Sequence, residues 1–243
     1  MKNIRIATYN ICSCRNFEKG LLPNQPFDVR AVADTLRELN ADIVGLNEVF
    51  DKGEGECVEQ SERLRALAGY PFSYFSPAWK GIYGNALLSR FPIRSVKTVA
   101  VPAPSPADRP HTQTAYYEDR AVLCAVLDIG QPITLLVTHF GLNPCEQERM
   151  AQTLCKLIDE SNYPVLLTGD FNVSPQAPLL APIYERLKSV AKECGNTQFT
   201  FATYQPRITI DYLFIPKQAR VRSFEVRSYC TSDHFPCVAE LEL

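Results

Sequence analysis

Four strand-like segments that follow one another without an intervening helical pattern constrain the fold of this chain most strongly. They span residues 85–89, 93–101, 120–128 and 133–138, and they are rich in the apolar and β-branched residues that favour strands. Parallel strands need a crossover connection, usually a helix, whereas antiparallel strands can be joined directly. These segments therefore do not fit a doubly wound parallel sheet.

Helical and strand-like segments are mixed in the remainder of the chain. Apolar residues at helical spacing follow Asp28, a candidate N-cap, and Asn40 is a candidate stop. Further helices are predicted over residues 61–68, 144–160 and 179–187, and further strands over residues 4–11, 42–49, 164–168, 210–215, 221–226 and 237–243. This mixture predicts an α/β fold of two packed, mostly antiparallel sheets with helices outside.

Length and composition predict one ordinary globular domain. The 243 residues contain no Gly/Ser linker, charge block or repeat, so we expect a single domain over residues 1–243. No apolar run approaches the roughly 18 to 20 residues that cross a bilayer, so no membrane span is expected. The first residues lack the features of a signal peptide, which predicts a cytoplasmic protein. The nine cysteines show no CxxC spacing and are expected to be reduced.

Polar residues that packing does not explain stand at the ends of several predicted strands. They are Asn10, Glu48, His139, Asp170 with Asn172, Asp211, and the run Ser232, Asp233 and His234. Two of the three histidines of the chain belong to this set. Asp170 and Asn172 are two residues apart, so on an extended backbone their side chains point to the same side. Side chains of this kind at a sheet rim indicate a site of chemistry.

Short motifs containing these residues run from the first predicted strand to the last. They are Thr8-Tyr9-Asn10-Ile11, Leu46-Asn47-Glu48-Val49, Gly84-Asn85-Ala86-Leu87-Leu88-Ser89, Arg120, Thr138-His139-Phe140, Gly169-Asp170-Phe171-Asn172, Ile210-Asp211-Tyr212 and Ser232-Asp233-His234-Phe235-Pro236. In this order they resemble the endonuclease/exonuclease/phosphatase superfamily, the deoxyribonuclease-I-like phosphoesterases. The resemblance implies a four-layer sandwich of two mixed, mostly antiparallel sheets flanked by helices.

A phosphoester hydrolase would use these residues in distinct roles. Carboxylate and carboxamide oxygens favour Mg²⁺ or Mn²⁺. Glu48 is the first candidate ligand, with Asn10 and Asp233 beside it, as the resemblance also implies. Asp170 is the candidate general base for an attacking water, and Asn172 is a candidate donor to a phosphate oxygen.

The remaining candidates concern the substrate phosphate. His234 is expected to contact it, with Asp211 as the partner of the other ring nitrogen. The resemblance implies that His139 is a phosphate ligand or an acid near the leaving group. The last three candidates for binding phosphate are Arg120, Asn85 and Tyr83.

Structural explanations exist for the same residues. They are a turn cap at Asn10 or Asp233, an exposed strand end at Glu48, an Asx-turn at Asp170 and Asn172, core histidines at positions 139 and 234, and an ion pair of Asp211 with Arg207. Cys12 and Cys14 follow the first strand, where a zinc or redox role is the alternative to a structural one. An aromatic segment with Phe199, Phe201 and Tyr204 either packs in the core or stacks on a substrate ring. His111 matches no motif.

The sequence therefore predicts a divalent-metal-dependent phosphoesterase, within that class a phosphodiesterase, that acts by in-line attack of an activated water. Nucleic acid, nucleotide ends and small or lipid phosphoesters all stay open as substrates. The net charge of −2 and the scattered Lys and Arg residues predict weak non-specific binding to DNA. No obligate protein partner is indicated. The alternative is a catalytically silent module that binds phosphate-bearing ligands.

Overall fold

The computed structural model describes residues 2–52, 55, 58–109 and 116–243. The strands in these ranges are β1 (Asn3–Asn10), β2 (Ile43–Phe50), β3 (Phe72–Pro77), β4 (Tyr83–Ser89), β5 (Ile93–Val101), β6 (Arg120–Asp128), β7 (Pro132–His139), β8 (Val165–Asp170), β9 (Leu187–Ser189), β10 (Asp211–Pro216), β11 (Arg220–Val226) and β12 (Cys237–Glu242). The helices are α1 (Val29–Leu39), α2 (Gln60–Ala68), α3 (Pro144–Asp159), α4 (Ala181–Arg186) and α5 (Val190–Glu193). Short 3₁₀ turns lie at Cys12–Cys14, Trp79–Gly81, Pro106–Asp108 and Pro178–Leu180.

The strands form two six-stranded sheets. The first has the order β11-β12-β1-β2-β4-β3, and the second has the order β5-β6-β7-β8-β10-β9. Strand β1 pairs parallel with β2, and β7 pairs parallel with β8. The other neighbouring strands pair antiparallel. Both sheets are therefore mixed and mostly antiparallel.

Three apolar clusters separate four layers. The central cluster takes side chains from both sheets, including Ile6, Leu87, Leu135 and Leu213, and so lies between them. A second cluster packs α1 and α2 against the outer face of the first sheet. A third packs α3 and α4 against the outer face of the second sheet. This arrangement confirms the predicted four-layer sandwich, while the single domain over residues 1–243 stays a prediction.

Local sequence signals account for most element boundaries. The backbone N–H of Ala31 donates to Asp28 Oδ1 at 2.9 Å, and Asn40 ends α1 in the left-handed conformation with φ of 48°. Strand β3 was not predicted; Pro71 precedes it and Pro77 is its last residue. Proline is tolerated there since β3 is an edge strand. The short elements β9 and α5 were also not predicted, and the helix expected over residues 179–187 ends at Arg186.

The alternation of side chains along the strands places the polar strand ends on one face. On β1, Ile4 and Ile6 face the central cluster, and Asn10 continues the same two-residue period. On β8, Leu166 faces that cluster and Asp170 continues its period. Because β1 with β2 and β7 with β8 run parallel, their carboxyl ends reach the same edges of the two packed sheets.

Two observations concern the chain more widely. No helix in the described ranges is long and apolar enough to cross a membrane. No disulfide bond joins the cysteines within those ranges. The segment from Pro102 to Thr114 contains four prolines, and its residues 110–114, including His111, lie outside the described residues, as does Cys57.

Candidate active site

The carboxylate of Asp170 lies at the centre of the polar edge between the two sheets. It is 1% exposed. Its Oδ2 accepts a hydrogen bond from Asn10 Nδ2 at 3.1 Å and lies 3.5 Å from His139 Nε2 and 3.7 Å from His234 Nε2. Burial raises the pKa of Asp170, and the positive charge of His234 opposes that shift. Three predicted site residues from three other segments of the chain thus meet at this carboxylate.

The backbone around Asp170 holds its carboxylate in a fixed direction. Gly169 has φ of 149°, and a Cβ at this position would overlap the carbonyl oxygen of Thr138 on β7. Asn172 adopts φ of 50°, and its N–H donates to Asp170 Oδ1 at 2.8 Å. An Asx-turn is therefore present, and it leaves Oδ2 directed at the histidines. Asn172 Nδ2 donates to the carbonyl oxygen of Phe140 at 3.0 Å.

Asn47 is a buried support of the site that the sequence reasoning missed. Its Oδ1 accepts from the backbone N–H of Asp170 at 3.0 Å. Its Nδ2 donates to Asn85 Oδ1 and to the carbonyl oxygen of Thr138, both at 2.8 Å. Asn85 in turn donates to the carbonyl oxygen of Ala121 at 2.9 Å, so both carboxamides connect strands of the two sheets. The available signal was a carboxamide within the apolar strand that precedes Glu48.

Glu48, Asn10 and Asp233 form the oxygen-rich side of the site. Glu48 has a positive φ of 58°, and its Oε1 accepts from Asn10 Nδ2 at 3.1 Å. Ser232 Oγ donates to the carbonyl oxygen of Asn10 at 2.7 Å and lies 3.2 Å from Asp233 Oδ1. Asn10 therefore joins Glu48 to Asp170, while Ser232 ties the Asp233 segment to the end of β1.

The donor chemistry of this side fits a hard divalent cation. Burial raises the pKa of Glu48, and repulsion by Asp233 adds to the shift. A hydrogen bond from Asn10 and the charges of His234 and Arg120 oppose that shift. Burial, together with Asp233 and Glu48, also raises the pKa of the Cys12 thiol. The oxygen donors of Glu48, Asp233 and Asn10 favour a hard, oxygen-binding metal over zinc at this position.

His234 is held by an acidic partner. Its Nδ1 donates to Asp211 Oδ2 at 2.9 Å, and the ring of Phe201 packs against it with centroids 4.6 Å apart. Burial by itself lowers the pKa of His234, but Asp211 and Asp170 outweigh it and raise the pKa to about 10. His234 is therefore an imidazolium at neutral pH. Asp211 pairs with His234 and not with Arg207, which is exposed.

His139 is held by a basic partner instead. Arg120 Nη1 lies 3.0 Å from His139 Nδ1, and Arg120 Nη2 lies 3.0 Å from Glu118 Oε2. A guanidinium has no acceptor atom, so His139 Nδ1 must accept and the ring proton must be on Nε2. Burial, Arg120 and His234 all lower the pKa of His139. His139 is thus a neutral Nε2–H donor, and the nearly buried Arg120 orients it.

Tyr83 lies on the Glu48 side of the same edge. Its ring packs on Phe50 with centroids 4.9 Å apart. Burial raises the pKa of its hydroxyl, with a further contribution from Glu48. Tyr83 is therefore a protonated phenol beside the oxygen-rich side of the site.

Asp170, Asp211 and His234 satisfy the spacing of a second cation site, since their ligand atoms lie within 4.8 Å of one another. The hydrogen bond between His234 and Asp211 and the high pKa of His234 instead describe an acid-base group. The site therefore combines an oxygen-rich side, a central carboxylate, and two histidines in opposite charge states.

Comparison with known families agrees with this geometry. The family model described as "Endonuclease/Exonuclease/phosphatase family" matches residues 7–234. The chain belongs to this family. The resemblance inferred from the sequence motifs is thereby confirmed, and members of the endonuclease/exonuclease/phosphatase family are phosphoester hydrolases.

Solved structures of the endonuclease/exonuclease/phosphatase family share the fold. A family protein from Bacteroides vulgatus is 22% identical, with a TM-score of 0.79 and 100% of each chain covered. The mannosyl-6-phosphatase Bt3783 from Bacteroides thetaiotaomicron is 17% identical, with a TM-score of 0.72 and coverage of 99% of this chain and 100% of that one. ANGEL2, a 2′,3′-cyclic phosphatase solved with adenosine-2′,3′-vanadate, is 18% identical, with a TM-score of 0.74 and coverage of 98% and 95%. No curated protein sequence matches the chain.

Proposed function

We propose that this protein is a divalent-metal-dependent phosphodiesterase that uses direct in-line attack of water. The observation that carries the proposal is the Asp170 carboxylate, which is buried among Asn10, His139 and His234. Its raised pKa makes it a suitable proton acceptor near neutral pH. In this proposal Asp170 orients the attacking water and takes its proton.

The two histidines bind the phosphate in different ways. The His234 imidazolium places positive charge where negative charge develops on the phosphate oxygens, and Asp211 keeps it protonated. His139 is a neutral imidazole that would donate its Nε2–H to a phosphate oxygen. The lowered pKa of His139 makes it a poor proton donor, so the phosphate-ligand role is favoured over the acid role. Asn172 and Tyr83 are retained as further candidate phosphate contacts.

Glu48, Asp233 and Asn10 are the residues that would hold Mg²⁺ or Mn²⁺. When bound, the cation neutralises the phosphate and the charge that gathers on it during attack. The repulsion between Glu48 and Asp233, which a bound cation would relieve, supports this assignment. Asn10 hydrogen-bonds both Glu48 and Asp170, so it would fix the position of the metal-binding carboxylate relative to the carboxylate that orients the attacking water.

A substrate panel tests the proposal. The panel contains DNA, RNA, linear and 2′,3′-cyclic nucleotides, sugar phosphates and lipid phosphodiesters, each with Mg²⁺ or Mn²⁺ and again with EDTA. We expect turnover that EDTA abolishes and that added cation restores. Sugar phosphates and cyclic nucleotides are included because two solved neighbours are named as phosphatases of those kinds.

Three variants separate the proposal from its alternatives. Asp170→Asn and Glu48→Gln should each lower kcat/KM by on the order of 10²–10⁴. Asp159→Asn is the matched control, because that carboxylate is exposed and pairs with Arg186 at the surface. Equal activity in all four proteins would refute the assigned roles. Binding of phosphate-bearing ligands without turnover of any substrate would favour the catalytically silent module.

A further inference from the structure

A buried ion pair connects the catalytic edge to the segment that precedes β6. Arg120 Nη2 lies 3.0 Å from Glu118 Oε2, and both side chains are 8% exposed. Arg120 Nη1 lies 3.0 Å from His139 Nδ1. The third nitrogen of the guanidinium, Nε, is buried and has no hydrogen-bond partner among the described residues. The orientation of Arg120 toward His139 therefore depends on its contact with Glu118.

Tyr116 engages the second oxygen of the Glu118 carboxylate. The hydroxyl of Tyr116 donates to Glu118 Oε1 at 3.0 Å, although the residue as a whole is 55% exposed. Because an ionised carboxylate accepts hydrogen bonds at both oxygens, it can hold the phenol and the guanidinium at once. A chain of three contacts thus runs from an exposed tyrosine through Glu118 and Arg120 to His139.

The backbone of Glu118 is anchored to the cap of α3, the helix that follows β7. The N–H of Glu118 donates to Glu146 Oε1 at 3.3 Å. Asn143 Nδ2 donates to Glu146 Oε2 and to the carbonyl oxygen of Tyr116, both at 2.7 Å. A Cβ at Gly141 would overlap the Glu146 carboxyl group, so this group packs directly on the turn between β7 and α3. The segment that carries Glu118 is thereby fixed relative to that turn.

Stability alone does not account for the buried ion pair. Desolvation of two buried ions is costly, and apolar residues of similar volume often replace such pairs without loss of stability. The pair does have a consequence at the site. A guanidinium has no acceptor atom, so while it contacts His139 Nδ1 the ring proton stays on Nε2. That nitrogen lies 3.5 Å from Asp170 Oδ2, on the side where the chemistry is expected.

We propose that Glu118 is a positioning residue for His139. It holds the Arg120 guanidinium in the orientation in which Nη1 donates to His139 Nδ1, and Tyr116 keeps the carboxylate in place. The histidine is then presented to the phosphate in one tautomer and one orientation. This inference rests on the proposed function, in which His139 is a phosphate ligand.

The variant Glu118→Gln tests the inference with little change in shape. A glutamine side chain offers one acceptor oxygen, whereas Tyr116 and Arg120 each require one. ¹⁵N NMR of the folded variant without substrate should show His139 as a mixture of tautomers, in place of the Nε2–H form alone. The kcat/KM of the variant should fall on the order of 10- to 100-fold, as for other residues that orient a histidine of an active site.

Two further variants and a control separate positioning from a structural role. Tyr116→Phe removes only a hydroxyl, so it carries the test even if Glu118→Gln does not fold. It should lower kcat/KM on the order of threefold and change the tautomer of His139 to a smaller extent. The double variant should lose less than the product of the two single losses, because both act through one side chain. The control Asp128→Asn, which removes a surface partner of Arg94, should change neither readout.

The outcomes distinguish this inference from the proposed function. A single Nε2–H tautomer in both single variants, losses equal to that of the control, or fully multiplicative losses would overturn the positioning role. A change of tautomer in a protein that hydrolyses no substrate of the panel would support the positioning role and contradict the proposed function alone. Hydrolysis that Glu118→Gln leaves unchanged would contradict the positioning role alone.

Discussion

Replacing Asp211 by Asn should change the charge state of His234 with little change in shape. The Asp211 carboxylate lies 2.9 Å from His234 Nδ1. At an effective dielectric constant of about 20, that separation corresponds to an attraction of about 6 kcal/mol. The rise in the pKa of His234 from 6.5 to about 10 corresponds to about 5 kcal/mol in favour of the imidazolium, after burial has opposed it. This net rise also contains the attraction of Asp170 and Asp233.

The direction of the pH effect follows from the raised pKa. A histidine whose pKa is raised on folding is stabilised as the imidazolium below its folded-state pKa, and that form is lost as pH rises through it. In the native protein His234 should stay charged from pH 6 to about 9. In Asp211→Asn burial remains while the nearest negative charge is gone, so the imidazolium should be lost as pH rises through the neutral range.

The assay is kcat/KM from pH 5 to 10 together with ¹⁵N NMR of the histidine rings. The variant should lose activity on the order of 10²–10⁴ at pH 8, and its deficit relative to the native protein at the same pH should be smaller at pH 5.5. With three histidines in the chain, single substitutions assign the NMR signals. Identical pH profiles for both proteins, or a native His234 that titrates near 6.5, would refute the reasoning.

Two further predictions concern the supports of the site. Arg120→Leu should remove the restraint on His139. ¹⁵N NMR should then show a ring proton only on Nε2 in the native protein and a mixture of tautomers in the variant. The free energy of unfolding of the variant should be lower by about 3–5 kcal/mol, because Glu118 loses its buried partner. A native His139 protonated on Nδ1 would contradict this. Gly169→Ala should destabilise by about 3 kcal/mol in denaturant titration through overlap with Thr138, whereas Gly20→Ala, which has open space, should cost about 1 kcal/mol. Equal losses would contradict it.

Strand periodicity was sufficient to predict the face on which a polar strand end lies, whereas the grouping of those ends in one site came from the family resemblance. Once Ile4 and Ile6 face the core between the sheets, Asn10 must continue on that face. The same period carries Asp170 to the edge that Asn10 occupies. The fold class followed from connection lengths in the same way, since short connections require antiparallel pairing.

The contacts that orient the site were beyond sequence reasoning because they join residues far apart in the chain. Asn47 and Asp170 are 123 positions apart, and no local pattern relates them. Arg120 was expected to bind phosphate, and nothing in its neighbourhood in the sequence shows that its guanidinium contacts His139. At Asp170 the structural alternative, an Asx-turn, and the functional one, a general base, are compatible, because the Asx-turn is present and orients the carboxylate.

Direct attack of water on phosphorus is the central claim, and the stereochemical course of hydrolysis tests it most directly. The substrate is one diastereomer of a phosphorothioate diester, hydrolysed in H₂¹⁸O with Mg²⁺ or Mn²⁺. A single in-line displacement by water activated at Asp170 predicts inversion of configuration at phosphorus. Retention would require two displacements through a covalent phospho-enzyme and would contradict the account.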